Sequence, residues 1–129
     1  LTEIYAPKVE EINFRAFYQC NQLEIVDMRK ASRIKYSAFE QCGRLYRVRF
    51  GALSSAGQLY EDGMGGIFDL CQTDGINLTL SSRQSMMQLR TTEATYEWVP
   101  AGESYWDTVD YDNKQFLGYK FNHIYRVDD

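Results

Sequence analysis

The chain has 129 residues, the size of one domain with a core of its own, and it carries a formal net charge of −4. Its 14 Lys and Arg against 18 Asp and Glu form no basic cluster, which disfavours nucleic acid as a partner. No stretch approaches the roughly 18 consecutive apolar residues of a membrane-spanning helix. The sequence therefore predicts a single domain, 1–129, with no membrane span.

The first residues, LTEIYA, are predicted to form a strand. Leu1, Ile4 and Ala6 stand 22 residues before three apolar residues of the next predicted strand, LEIVDM. We therefore expect the sequence to begin inside a repeat whose first half lies upstream of Leu1.

Residues 9–28 and 31–50 carry the same pattern. At an offset of 22 positions, seven of the twenty residues are identical: Ile12/Ile34, Ala16/Ala38, Phe17/Phe39, Gln19/Gln41, Cys20/Cys42, Leu23/Leu45 and Val26/Val48. Self-similarity at a fixed period of roughly 20–30 residues is the sequence signature of a solenoid. Since every coil of a solenoid winds the same way, we expect one short parallel strand per repeat.

Each repeat has two halves. LEIVDM and LYRVRF alternate between apolar and polar residues, as short strands do. Residues 12–22 and 34–44 place Ile, Ala-Phe and Cys at i, i+4, i+5 and i+8, which predicts one to two helical turns on the other face.

Residues 51–66 interrupt the period, because the next Phe and Cys follow 29 residues after Phe39 and Cys42 instead of 22. Five glycines in this stretch predict a loop insertion, either a spacer or a binding loop. Residues 67–80 form a degenerate repeat with the strand INLTL, and further strand patterns follow in MMQLRT and TYEWVP. The aromatic, non-repeating residues 81–129 are predicted to cap the open end of the core.

The three cysteines occupy related positions. Cys20 and Cys42 are equivalent, and Cys71 ends a third variant of the pattern. We expect a ladder of buried, reduced thiols. A disulfide within the ladder is the alternative. A zinc site is disfavoured, because the sequence has no CxxC pair and only one histidine, His123.

The repeated pattern I-x-x-x-A-F-x-x-C-x-x-L-x-x-V-x-[MF] resembles the BspA-like leucine-rich repeats of bacterial surface proteins. Val99, Pro100, Gly102 and Tyr105, followed by Phe121 and Ile124, are similar to the family's terminal unit. The resemblance implies an α/β leucine-rich-repeat solenoid with strands on one face, short helical turns on the other and a C-terminal cap. It also implies a secreted or surface-anchored protein of Bacteroidetes-type bacteria, a non-catalytic module for adhesion or protein binding that uses no cofactor. The partner would be a host or matrix protein or a glycan, and we expect a monomer.

Catalysis finds no support in the residues. His123 has no nucleophile at a recognisable spacing, and core cysteines are inert. Asp107, Asp110 and Asp112 with Asn113 suggest a calcium site or a solvated acidic face, and they lack the spacing of an EF-hand loop.

The outward positions of the predicted strands give the candidate binding surface. Residues 22 apart form three rows: Thr2, Glu24 and Tyr46; Glu3, Ile25 and Arg47; Tyr5, Asp27 and Arg49. Tyr and Arg dominate interface hot spots, so the predicted binding residues are Tyr5, Glu24, Asp27, Tyr46, Arg47 and Arg49. In the alternative, these side chains only satisfy each other, as Asp27 with Arg49 and Glu11 with Arg33. The domain would then be a structural stalk or capping segment of a longer array.

Overall fold

The structure is a computed structural model, and it describes residues 2–35, 37–53, 55–56, 66–84, 88–89, 98–99, 106–107, 109–117 and 119–128. Its largest element is a five-stranded, wholly parallel sheet with the strand order β1-β3-β5-β7-β14. These strands are β1 (Glu3–Tyr5), β3 (Ile25–Met28), β5 (Arg47–Phe50), β7 (Asn77–Ser81) and β14 (His123–Val127).

A second parallel sheet runs beside the first. It consists of β2 (Glu11–Ile12), β4 (Arg33–Ile34) and β6 (Ser55–Ala56). Its register pairs Glu11 with Arg33 and Arg33 with Ser55, so each step along the sheet is 22 residues of sequence. The period therefore continues through Ala56. The prediction that the break begins at residue 51 is wrong, because Ala56 takes the place of Ile34 in the ladder. The rest of the predicted insertion, 57–65, lies outside the described residues.

Two small antiparallel sheets belong to the C-terminal part. One has the order β10-β8-β9, and the other has the order β11-β12-β13. Their strands are β8 (Gln88–Leu89), β9 (Trp98–Val99), β10 (Trp106–Asp107), β11 (Val109–Asp110), β12 (Gln115–Phe116) and β13 (Tyr119–Lys120).

The predicted helical turns at 12–22 and 34–44 are not helices. Residues 14–19 and 37–41 form turns, and the one helical element of the described chain is a short 3₁₀ helix, Thr73–Gly75. Arg15 and Gln19 have φ values of 54° and 59°, and Ser37 and Gln41 have 57° and 63°. Left-handed residues at this spacing prevent a right-handed helix.

Hydrogen bonds between neighbouring turns replace those of the missing helix. The amides of Phe17 and Gln19 donate to the carbonyls of Ala38 and Glu40 at 2.8 and 2.9 Å. The amides of Phe39 and Gln41 donate in the same way to Ile67 and Asp69, both at 2.9 Å. The chain thus stacks in layers, and we call residues 2–23 the first layer and 24–45 the second.

The core lies between the two parallel sheets and the turns. The inward residues of the strands, including Leu23, Val26, Leu45 and Val48, are buried as the alternation predicts. A column of aromatic rings runs through the layers, with Phe17, Phe39 and Phe68 stacked at centroid distances of 5.2 and 5.6 Å.

The C-terminal residues cover the last ring of this column. Phe121 and Tyr119 meet Phe68 edge-on at centroid distances of 5.5 and 5.8 Å. The Tyr119 hydroxyl also donates a hydrogen bond to the carboxylate of Asp69, which ties β13 to the third turn.

Candidate functional site

The outward face of the five-stranded sheet is organised in rows. One row joins Tyr5, Asp27, Arg49, Thr79 and Tyr125, one residue from each strand in direct register. A parallel row joins Glu3, Ile25, Arg47, Asn77 and His123. Strands are about 4.8 Å apart, so each row extends over roughly 19 Å. The predicted rows that start at Glu3 and at Tyr5 are therefore present in the sheet, and each extends over two more strands than expected.

An open cavity of ≈ 520 Å³ lies along this face. Four of the six predicted binding residues line it: Tyr5, Asp27, Arg47 and Arg49. Glu24 and Tyr46 lie one residue before β3 and β5, and the Tyr46 amide donates to the Glu24 carbonyl at 2.9 Å. The strand geometry therefore brings four of the predicted residues to one site and leaves Glu24 and Tyr46 at its margin.

The face is exposed at both ends of the first row. Tyr5 is 66% exposed on the edge strand β1, and Tyr125 is 49% exposed on the opposite edge strand β14. The Arg29 guanidinium lies 5.3 Å from the centre of the Tyr5 ring, and the His123 ring lies 5.6 Å from that of Tyr125. Each end of the row thus combines an exposed aromatic ring with a nitrogen-bearing side chain.

The predicted pairing of Asp27 with Arg49 is wrong. Asp27 instead accepts two hydrogen bonds from Arg29, at 3.2 Å from Nε and 2.6 Å from a terminal nitrogen. These bonds raise the pKa of Arg29. Arg29 follows Asp27 by two residues on the same face of the chain, so its fork reaches the carboxylate side-on. A bidentate contact of this kind is stronger than a single cross-strand contact.

Arg49 is left in an unusual state. Its Nε is buried and has no hydrogen-bond partner among the residues that the structure describes. Buried polar atoms are nearly always hydrogen-bonded, so this atom is an exception among the described residues.

Arg47 is set differently, although it stands beside Arg49 on the same strand. It is exposed, and its guanidinium lies 5.9 Å from the centre of the Tyr46 ring. Tyr46 itself is 41% exposed. The two side chains form an arginine–aromatic pair at the solvent, which is a common composition of interface hot spots.

The second sheet carries the other predicted pair. Arg33 donates to Glu11 at 3.3 Å, which confirms that prediction, and Lys35 approaches the same carboxylate at 3.3 Å. All three side chains are at least one-third exposed, so the pairs contribute only about 0.2–1 kcal/mol each. The charged side chains on the outward side of the second sheet therefore pair with each other across the layers.

The cysteine ladder differs from the prediction in burial. All three thiols are free, but only Cys42 is fully buried, whereas Cys20 and Cys71 are half-buried. Cys42 and Cys71 donate to the carbonyls of Phe17 and Phe39 at 3.1 and 2.9 Å. The contact with the Cys42 sulfur, followed by burial, raises the pKa of Cys71, and burial raises that of Cys20. The thiols act as small core side chains.

The acidic segment is only partly described. Asp110 accepts two hydrogen bonds from Asn113, one from the side-chain Nδ2 at 2.8 Å and one from the backbone N–H at 3.1 Å. These bonds lower the pKa of Asp110. Asp112 is exposed, and the side chain of Asp107 lies outside the described residues. The described part of the chain holds no group of three or more His, Cys, Asp or Glu residues that could ligate a metal ion. No helix within it is long and apolar enough to cross a membrane.

Sequence reasoning missed four residues of the outward face: Asn77, Thr79, His123 and Tyr125. The sequence predicts the strand INLTL, but the longer spacing before it hides the register of its outward residues with the rows. HIYRV alternates like the other strands and could have indicated a fifth strand. Its place in the parallel sheet, after two antiparallel units, has no signal in the repeat period.

Comparison with protein-family models, with curated proteins and with solved structures gives no significant match to this chain. The resemblance to the BspA-like repeats therefore rests on the residues that carry the pattern.

Proposed function

We propose that the chain is a leucine-rich-repeat solenoid of the BspA-like kind and that it binds a macromolecular partner without catalysis. The solenoid is supported by the 22-residue register of β2, β4 and β6 and of β1, β3 and β5, and by the turn-to-turn hydrogen bonds. The packing of Phe121 and Tyr119 on Phe68 supports a capping role for the C-terminal residues.

One observation carries the binding proposal. Five parallel strands align Tyr5, Asp27, Arg49, Thr79 and Tyr125 in a single row along an open cavity, with an exposed tyrosine at each end. A platform of roughly 19 Å suits an extended segment of a protein or a glycan chain better than a small metabolite. The strands hold the backbone of these residues in place, so little backbone entropy is lost when a partner binds.

The chemistry of the face fits recognition. Arginine and tyrosine supply planar hydrogen bonding and apolar area, and neither Arg47 nor Tyr46 lies in the hydrophobic core. A partner at the surface of a host or in its matrix is the class that the resemblance implies. Secretion or surface attachment is part of the same proposal.

A structural stalk is the second candidate, and a specific observation favours it. Phe17 and Cys20 of the first layer are half-buried, whereas the equivalent Phe39 and Cys42 are fully buried. The first layer therefore presents partly exposed core side chains, and stacking a further repeat layer on them would bury them.

Binding of purified matrix proteins and glycans to the chain, measured by surface plasmon resonance, tests the proposal. For a partner that binds, replacing both Tyr46 and Arg47 by alanine is expected to weaken affinity by about 2 kcal/mol or more. The matched control replaces Tyr18 and Arg15, an arginine–aromatic pair of 4.8 Å on the turn side. Equal affinity of both variants would contradict the proposed face, and the lack of saturable binding to any partner would favour the stalk.

A further inference from the structure

Charge is distributed unevenly over the outward face of the five-stranded sheet. Glu3, on the edge strand β1, is exposed and forms no ion pair among the described residues. On β3, Asp27 is paired with Arg29 through two hydrogen bonds. The central strand β5 carries Arg47 and Arg49, and neither forms an ion pair in the described chain. The face is therefore acidic at one edge and cationic at its centre.

The two strands beyond β5 add no carboxylate to the rows. They contribute Asn77 and Thr79 from β7, and His123 and Tyr125 from β14. Asn77 accepts a hydrogen bond from the side chain of Asn122 at 2.9 Å. We call the part of the face formed by β5, β7 and β14 the cationic half. Its rows offer positive charge and polar groups, and they contain no acidic residue.

Arg47 is the more accessible of the two arginines in the cationic half. It is exposed, and it lines the cavity of ≈ 520 Å³. Its register neighbours are Ile25 on β3 and Asn77 on β7, so no carboxylate stands beside it on either strand. The donors of its planar fork are therefore open to an acceptor that a partner supplies.

Arg49 is less accessible than Arg47. Its Nε is buried, and its side chain also lines a second cavity, of ≈ 470 Å³, together with Glu10 and Asp128. Two carboxylates thus share that second cavity with Arg49. Recognition of a negative group by the cationic half therefore depends on Arg47.

The number of charges decides which class of acidic partner fits. The whole chain carries a net charge of −4, so it repels a polyanion such as a nucleic acid or a sulfated glycan at long range. A protein segment with one or two carboxylates meets the local cation with much less repulsion. An arginine fork also binds a planar carboxylate through two parallel hydrogen bonds.

We propose that the outward face binds an extended acidic segment of a protein, with an Asp or Glu carboxylate of that segment on Arg47. This inference rests on the proposed function and adds the charge of the partner. The exposed ring of Tyr46, 5.9 Å from the Arg47 guanidinium, offers apolar area to a side chain next to the acid. Glu3 repels a carboxylate at the β1 edge, so the acid lies towards β14.

Selection from a phage-displayed library of random peptides tests the charge of the partner. Peptides of about eight residues are used, because they span a row when extended. The unmodified chain is expected to enrich Asp and Glu over their frequency in the unselected library. Arg47→Glu is expected to reverse this preference and to enrich Lys and Arg, because the face then presents a carboxylate at this position.

The matched control is Arg44→Glu, which makes the same change of net charge. Arg44 is exposed, donates to Gln22 and lines neither cavity, so this variant is expected to keep the acidic preference. Thermal unfolding shows whether each variant is folded. If Arg47→Glu does not fold, Arg47→Gln replaces it, and the expected result is loss of the acidic preference.

Titration calorimetry with a synthetic copy of the most enriched peptide tests the contact itself. Arg47→Gln is expected to weaken binding about tenfold, the effect of losing one charged hydrogen-bond donor. Replacing the acidic residue of the peptide by its amide is expected to cost as much. The two changes together are expected to cost little more than either alone, because both remove the same contact.

Three results would overturn the acidic segment. They are enrichment of peptides without an acidic preference, an equal change of preference in Arg47→Glu and Arg44→Glu, and failure to enrich any peptide. A matrix protein or glycan that binds the unmodified chain, and binds less tightly after joint replacement of Tyr46 and Arg47, would still support the proposed function. The inference on charge would then fail alone.

Discussion

The first and second layers share a sequence pattern but not an environment. Ala38, Phe39 and Cys42 of the second layer are completely buried. Their equivalents in the first layer are an exposed Ala16 and a half-buried Phe17 and Cys20. Identical side chains at identical repeat positions thus contribute differently to the core.

Neighbours explain the difference. The Phe39 ring is stacked between Phe17 and Phe68 and also contacts Phe50 at a centroid distance of 5.9 Å. Phe17 has an aromatic neighbour on the side of the second layer, where it meets Phe39. The repeat pattern therefore defines which side chains can enter the core, and the layers on both sides determine how much area each one buries.

Truncating the two phenylalanines is the strongest test of this comparison. Phe39→Ala is expected to lower the free energy of unfolding by about 3–5 kcal/mol, because it removes a fully buried ring from the middle of the column. Phe17→Ala is expected to cost roughly half as much, since the ring buries less area. Urea unfolding followed by circular dichroism measures both. Equal losses would show that the first layer is as well packed as the second.

Enlarging the two alanines tests the comparison from the opposite direction. Ala38→Leu is expected to destabilise the fold by about 1–3 kcal/mol, because a completely buried site has no room for three more carbons. Ala16→Leu is expected to change stability by less than about 0.5 kcal/mol, as exposed substitutions usually do. A large loss from Ala16→Leu would mean that this side chain is packed after all.

Thiol labelling sharpens the comparison without changing stability. Cys20 is expected to react with iodoacetamide in the native state before Cys42, which is fully buried and bonded to the Phe17 carbonyl. Since burial raises the pKa of Cys20, its thiolate forms at higher pH than in the unfolded chain, and its reaction rate should rise later with pH. Mass spectrometry of labelled peptides measures the order, and earlier labelling of Cys42 would contradict it.

The sequence predicts the strands and their register because burial repeats with the period. Ile12, Ile34 and the equivalent pairs of Val and Leu fix the ladder steps of the regular repeats. The structure keeps the offset of 22 in the three-stranded parallel sheet and between β1, β3 and β5 of the five-stranded one. β6 was missed because Ser55 and Ala56 lack the apolar signal of Ile34. Its place in the ladder is fixed by backbone hydrogen bonds, which any residue other than proline can provide.

The turns could not be predicted from their spacing. Apolar residues at i, i+4, i+5 and i+8 also describe a turn that packs its Ala, Phe and Cys against the next layer. The backbone reverses its hand at Arg15, Gln19, Ser37 and Gln41, and none of these is the Gly or Asn that normally marks a left-handed position. The spacing of the apolar residues favours a helix, but the hydrogen bonds between layers stabilise turns instead.

The sequence predicts the rows of the candidate site, but it does not predict which of the charged side chains pair with each other. Outward alternation placed Tyr5, Asp27 and Arg49 in register, as the structure has them. The alternation could not show that Asp27 accepts hydrogen bonds from Arg29. Arg29 lies just beyond the end of β3, where the strand register does not fix the position of a side chain. Because Asp27 is bonded to Arg29, the Nε of Arg49 has no acceptor in the described chain.

The hydrogen bonds between turns also give the stack a polarity. In the first layer, the amides of Phe17 and Gln19 point towards the second layer. They donate hydrogen bonds to the carbonyls of Ala38 and Glu40. No backbone amide of the described residues donates to the equivalent carbonyls of the first layer, at Ala16 and Tyr18. In a dimer with a two-fold axis on that side of the turns, these carbonyls of one copy would face the same carbonyls of the other copy. The hydrogen bonds between turns therefore disfavour a symmetric dimer through this side, because neither copy would bring the backbone donors that the carbonyls of the other require.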